Sequence, residues 1–115
     1  LIICGGVIDT SILSVCGTPA LDFLRQLHTD AAIFGSSGLK ANSGPTGLAS
    51  DYSSIKKIAL QNTLTSIVLA DHTKATYSSP VQFADWSEID YLVTDPAMDP
   101  QALERLGEHT KVIFA

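Results

Sequence analysis

"SIVLADHTK", residues 66–74, sets an apolar run directly against a polar cluster. Ser66, Ile67, Val68, Leu69 and Ala70 show no alternation of apolar and polar, so the run reads as a strand buried on both faces. Such a strand belongs inside a parallel sheet. Asp71, His72, Thr73 and Lys74 then stand at its carboxyl end, which is the edge where open α/β sheets bind ligands.

Similar units lie on either side. Leu1 to Cys4 read as a strand ended by Gly5-Gly6, and Thr18 with Pro19 reads as an N-cap and first helical residue. Ala20, Leu21, Leu24 and Leu27 recur at helical spacing, so a helix is expected to about His28, followed by a strand from Ala31 to Phe34. A glycine-rich loop, "GSSGLKANSGPTG" from Gly35 to Gly47, leaves that strand's carboxyl end. Ser50 or Ser53 is expected to cap a helix carrying Ile55, Ile58 and Ala59 and ending near Asn62. Beyond the opening stretch, residues 74–86 read as a short helix or an irregular covering segment. Ile89 to Thr94 form a strand, Asp99-Pro100 start a helix with Leu103 and Leu106 inward and Gly107 at its C-terminal cap, and Lys111 to Phe114 close as a strand. Apolar strands separated by single helices predict an α/β fold: a mostly parallel sheet with helices on both faces, Rossmann-like.

Composition narrows the function. At 115 residues and 45% hydrophobic content the chain is one well-buried domain. Seven Lys and Arg against twelve Asp and Glu give a net charge of -5, the wrong sign for a chain that neutralises duplex phosphates by itself. Cys4 and Cys16 have no CxxC spacing and read as reduced thiols of a cytosolic protein. No apolar stretch reaches membrane-span length. The chain opens inside an apolar segment, "LIICGG", without Met, and reads as the later part of a larger protein, so an N-terminally incomplete domain is expected.

Several residues could carry chemistry. Gly5-Gly6 permits a tight turn pressed against an anion, although GxGxxG is absent and a plain turn is preferred. The Gly35–Gly47 loop offers freed N–H groups and the hydroxyls of Ser36, Ser37, Ser43 and Thr46, the donors that a sugar or phosphate needs. It lacks the GK[ST] ending of a nucleotide P-loop. Asp71 with Lys74 fits a carboxylate and an ammonium meeting a polyol phosphate, and equally a helix cap followed by a solvated lysine. Asp95 closes "YLVTD" at another strand end, or serves as a turn residue before Pro96. His28, His72 and His109 are scattered and read as surface residues, and no GxSxG elbow or activated cysteine is present. Neither metal nor cofactor is expected.

In order and spacing, "LIICGG", Gly17, "TDAAIFGSSGL", "IKKIAL", "IVLADHTK", "IDYLVTD" and "KVIFA" resemble the C-terminal effector-sensing domain of the DeoR family of bacterial transcriptional regulators. The "LADxxK" block followed by "IDxxxTD" is the most specific part. The resemblance implies the fold shared by ribose-5-phosphate isomerase, glucosamine-6-phosphate deaminase and CoA transferases, in a cytoplasmic, non-enzymatic, homo-oligomeric regulator, usually a repressor of carbohydrate genes. It further implies a phosphorylated sugar or related metabolite as effector. Operator DNA would be bound only through an N-terminal winged helix-turn-helix that this sequence does not include. By position, the resemblance assigns ligand binding to Gly5, Gly6, Gly35, Ser36, Ser37, Gly38, Lys56, Asp71, Lys74 and Asp95.

Two positions depart from the family pattern. Asp9 stands where the family often has a basic residue, and Tyr52 where it usually has glutamate, with Asp51 one residue away. Two rival readings are a sugar-phosphate isomerase or deaminase of the same fold and an oligomerisation module with a vestigial pocket. The first needs a carboxylate base, which the Gly35–Gly47 loop lacks; the second would show exposed apolar residues around Val81 to Trp86.

Overall fold

A computed structural model describes residues 1–40 and 42–115. The strands are β1 (Val7–Asp9), β2 (Ser14–Cys16), β3 (Thr29–Gly35), β4 (Thr46–Gly47), β5 (Thr63–Leu69), β6 (Val81–Gln82), β7 (Tyr91–Thr94) and β8 (Lys111–Phe114). The α-helices are α1 (Thr18–Gln26), α2 (Ser50–Gln61) and α3 (Pro100–Gly107). β3, β5, β7 and β8 make a four-stranded sheet in that order, with every neighbouring pair parallel. The apolar run 66–69 falls in β5, an inner strand, and Ser66 and Val68 on it are buried. The run is not buried on both faces as expected: Ser66 and Val68 point into the core, while Leu69 on the other face is 44% exposed.

The register places the carboxyl ends of these strands level. Gly35 pairs with Leu69, Leu69 with Val93, and Thr94 with Phe114. Each crossover, through α2, through residues 70–90 and through α3, advances one strand in the same direction, so right-handed connections put all of them on one face. That face holds the core: Phe34, Val68 and Leu92 of the sheet pack with Phe83, Trp86, Ala102 and Leu106. Full burial of Leu106 alone contributes about 1.5–3 kcal/mol. On the other face, Ile33 is 64% exposed, and Leu69 and Ile113 are also exposed. The α/β class, the parallel sheet and the flanking helices are as expected. Among the described residues the covering lies on one face, because the strand order never reverses.

Other elements differ from the sequence reading. Among the described residues Leu1 to Cys4 pair with no strand; apolar character alone does not supply a neighbouring strand. Residues 7–16 instead form an antiparallel hairpin, β1 with β2. Its turn has no Asn-Gly or Asp-Gly signal and uses Leu13 at φ 50°. Gly17, not Thr18, is the N-cap of α1, and Ala49 precedes α2 without a side-chain cap. Residues 72–88 form a 3-10 turn (His72–Thr76), the strand β6 paired antiparallel with β4, and a second 3-10 turn (Trp86–Glu88). Phe83, Ala84 and Trp86 are buried there, so the exposed apolar patch that an oligomerisation module would show is absent from this segment. α3 begins as expected, with Asp99 accepting from the Ala102 N–H at 3.1 Å and Pro100 in its first turn. Gly107 is its last helical residue and Glu108 takes the cap.

Candidate functional site

The level strand ends gather most of the residues singled out in the sequence. β3 ends at Gly35, β5 delivers Asp71 to Lys74, and β7 delivers Asp95. Asp71 caps the 3-10 turn: its Oδ1 accepts from the Thr73 N–H at 2.9 Å and from the Thr73 hydroxyl. These two bonds from Thr73, the hydroxyl's first, hold the Asp71 carboxyl below the usual range. Lys74 is half-buried on the same turn. Its charge also helps to keep Asp71 ionised, and its ammonium has no hydrogen-bond or ion-pair partner among the described residues. The cap and the candidate ligand pair are thus one turn, and both readings of this cluster fit the geometry.

Asp95 is held from the neighbouring strand. Its Oδ2 accepts from the His72 N–H at 2.8 Å, and its Oδ1 lies 2.9 Å from His72 Nδ1 and 3.0 Å from the Ala97 N–H. The His72 backbone bond is the main cause of its lowered pKa. His72 was therefore underread in the sequence. The signal lay in the parallel register: Leu69 opposite Val93 puts residues just past β5 beside those just past β7. Thr94, next to Asp95, is buried with a hydroxyl that has no partner among the described residues.

The loop after β3 is pinned to the same turn. The Leu39 N–H donates to the Lys74 carbonyl, and the Lys40 N–H to the Tyr77 carbonyl, both at 2.9 Å. Gly38 makes this approach possible, since a Cβ there would meet Tyr77 O at 2.5 Å and Thr46 Oγ1 at 2.8 Å. The buried Ser36 hydroxyl donates within the loop, to Gly38 O at 2.9 Å with Thr46 O at 3.1 Å, while Ser37 is half-buried and its N–H bonds to Thr46 O. Lys56 reaches from α2 to the Gly35 carbonyl at 2.7 Å, and its Nζ lies 4.7 Å from the centre of the Phe83 ring. Burial lowers its pKa.

Gly6 sits against the hairpin and Ala20 of α1. A Cβ at Gly6 would meet Cys16 O at 2.6 Å and Val15 Cγ1 at 2.8 Å, so Gly6 serves the base of the hairpin. The hairpin reaches α2 through Asp9, whose Oδ2 accepts from the Tyr52 hydroxyl at 2.5 Å. The two departures from the family pattern are bonded to each other.

A cavity of about 440 Å³ opens between the loop, the 3-10 turn and α3, with Lys40, Thr76, Asp99 and Arg105 in its lining, and Asp71, Lys74 and Asp95 do not line it. Arg105 is braced there by the Leu39 and Lys40 carbonyls at 3.1 and 3.3 Å. Another cavity, about 350 Å³, lies along the second half of α2 beside Lys57, Gln61, Gln82 and Glu88, and adjoins none of the strand ends. Among the described residues no group of three or more His, Cys, Asp or Glu could hold a metal, and no helix is long and apolar enough to cross a membrane.

The model of the DeoR C-terminal sensor domain matches residues 1–96. The chain is 28% identical over 102 residues to the HTH-type transcriptional regulator GlpR of Haloferax volcanii, covering 89% of this chain and 40% of that protein. It is 31% identical over 91 residues to the HTH-type transcriptional repressor GlcR of Bacillus subtilis, covering 79% and 35%. It is 26% identical over 111 residues to the glycerol-3-phosphate regulon repressor of Escherichia coli, covering 95% and 43%. The chain thus spans less than half the length of these curated relatives. With the family model matching most of its length, the chain belongs to the DeoR C-terminal sensor domain family.

Proposed function

We propose that this chain is the effector-binding domain of a cytoplasmic transcriptional regulator, acting on DNA through a domain outside these residues and working as a homo-oligomer. Its effector is a small phosphorylated metabolite of the sugar or polyol phosphate class. The observation that carries the reading is the half-buried Lys74 ammonium, unpaired by protein among the described residues, beside Asp71 and level with Asp95 and the Gly35–Gly38 loop. An ammonium takes the anion, while carboxylates accept from hydroxyls. The printed names of two relatives support the regulatory half of the reading, one as a transcriptional repressor and one as a repressor of a glycerol-3-phosphate regulon. The signal reaches DNA by population shift: a ligand that favours one of two arrangements biases how subunits pack.

The same geometry argues against an isomerase or deaminase. Asp71 and Asp95 each accept backbone N–H bonds and have lowered pKa values, which suits fixed acceptors and makes poor bases. Titration of the protein with sn-glycerol 3-phosphate, hexose phosphates and their unphosphorylated parents tests the reading. Binding that requires the phosphate and is lost in Lys74→Ala is the expected result; turnover of any of these compounds would refute the non-enzymatic reading.

A further inference from the structure

We propose that Asp9 and Tyr52 are positioning residues that latch the β1–β2 hairpin onto α2 and so steady the helix that carries Lys56 to the Gly35 carbonyl at the effector site. This rests on the effector-binding reading above. Among the described residues, the Asp9–Tyr52 bond is the only hydrogen bond joining residues 7–16 to the rest of the chain. The other Asp9 oxygen, Oδ1, accepts from the Ser11 N–H at 2.9 Å and the Ser11 hydroxyl at 2.6 Å, so the carboxylate also orders the turn. Tyr52 lies one helical turn before Lys56, which is itself bonded to Gly35 at the end of β3. A change at the latch is thus passed along α2 directly to the site.

The hairpin depends on such an anchor. Two strands of three residues have little stability alone. β2, half-buried along its length, packs on α1 and α2. Val7, Ile8 and Ile12 are exposed, and Leu13 is 86% exposed at φ 50°, so the outer half contributes little burial to hold it down. The carboxylate and phenol suit a permanent latch rather than a pH switch. Bonding to Ser11 and Tyr52 holds Asp9 down at about 2, and the bond to Asp9 pushes Tyr52 up to about 12.

The test compares hydrogen exchange at the amides of residues 7–16 with affinity for sn-glycerol 3-phosphate in the parent, Tyr52→Phe, Asp9→Ala and Asp9→Asn. Tyr52→Phe and Asp9→Ala are expected to speed exchange in the hairpin and leave β5 and β7 protected. They are also expected to weaken ligand affinity by roughly three- to tenfold, the range for a partly exposed bond to a charged acceptor. Asp9→Asn keeps one oxygen acceptor where the carboxylate uses two, and is expected to fall between the parent and Asp9→Ala in both. Unchanged hairpin exchange in Tyr52→Phe overturns the latch whatever the ligand does. Faster exchange with unaltered affinity overturns its link to the site. If the parent binds no phosphorylated ligand, the effector reading fails and exchange alone decides whether the latch exists.

Discussion

Gly38→Ala is the perturbation whose cost follows most directly from the coordinates. The added Cβ would stand 2.5 Å from Tyr77 O, against the 3.4 Å at which ordinary contact begins. The Tyr77 carbonyl must therefore retreat by nearly an ångström. The same carbonyl accepts from the Lys40 N–H at 2.9 Å, so that retreat stretches the bond past its working range. Overpacking of about 1–3 kcal/mol adds to a lost backbone bond of about 0.5–1.5 kcal/mol, giving roughly 2–4 kcal/mol of destabilisation. For a domain of this size that is a fall in Tm of roughly 6–20 °C, read by thermal and urea unfolding. Gly35→Ala is the control, because its Cβ meets nothing within 4 Å and should leave Tm almost unmoved. A Gly38→Ala protein melting within about 2 °C of the parent would refute the claim that the loop is pinned to the exit of the 3-10 turn.

Three further outcomes follow from the same structure. Ser36→Ala should lower stability by about 0.5–1.5 kcal/mol, because the Gly38 and Thr46 carbonyls lose one donor and keep the Thr46 and Ser37 N–H groups, and should leave ligand affinity unchanged; a selective loss of affinity would show that the hydroxyl meets the ligand instead. Phe83→Ala removes a fully buried ring from the core and the surface under Lys56, so calorimetry or urea melts should report about 3–5 kcal/mol. Ultraviolet titration should show the Tyr52 phenol ionising near 12, a step that Tyr52→Phe deletes; ionisation near 10 would mean that the latch is open in solution. Its stabilising effect should be complete below pH 10 and vanish as pH rises through 12, while that of Asp9 should be complete above 3.8 and vanish as pH falls through about 2.

What the sequence disclosed and what it hid have physical causes. β5 and β7, the inner strands, and β8 at the sheet edge were legible because each is a short β-branched and aliphatic run that favours a strand. α3 was legible from Asp99-Pro100, where the cap and the following proline act locally. The hairpin was hidden because its turn lacks the residues that favour positive φ, and Leu13 adopts it nonetheless. Leu1 to Cys4 misled because an apolar segment records its own character and not whether a partner strand lies beside it. At the site, Asp71, Lys74, Asp95 and the loop glycines could be placed at strand ends from pattern alone. The pairings could not: His72 with Asp95 spans 23 residues, and Asp9 with Tyr52 spans 43. Two residues that looked like separate departures from a family pattern prove to be one contact, visible only when the hairpin is set against α2. Ser36, by contrast, looked like a rim donor and is committed to the loop's own carbonyls.

The central claim is that the strand-end cluster holds a phosphorylated metabolite through Lys74. Its most direct test is calorimetric titration of the parent and of Lys74→Ala with sn-glycerol 3-phosphate, glucose 6-phosphate and fructose 6-phosphate, alongside glycerol, glucose and fructose. The account predicts that one phosphorylated compound binds the parent and that its parent alcohol or sugar does not. At a hundredfold excess over Kd that compound should stabilise the fold by about 2.7 kcal/mol. Lys74→Ala should melt near the parent without ligand and lose most of that stabilisation with it. Undiminished binding in Lys74→Ala, or equal binding of the unphosphorylated partner, would contradict the account.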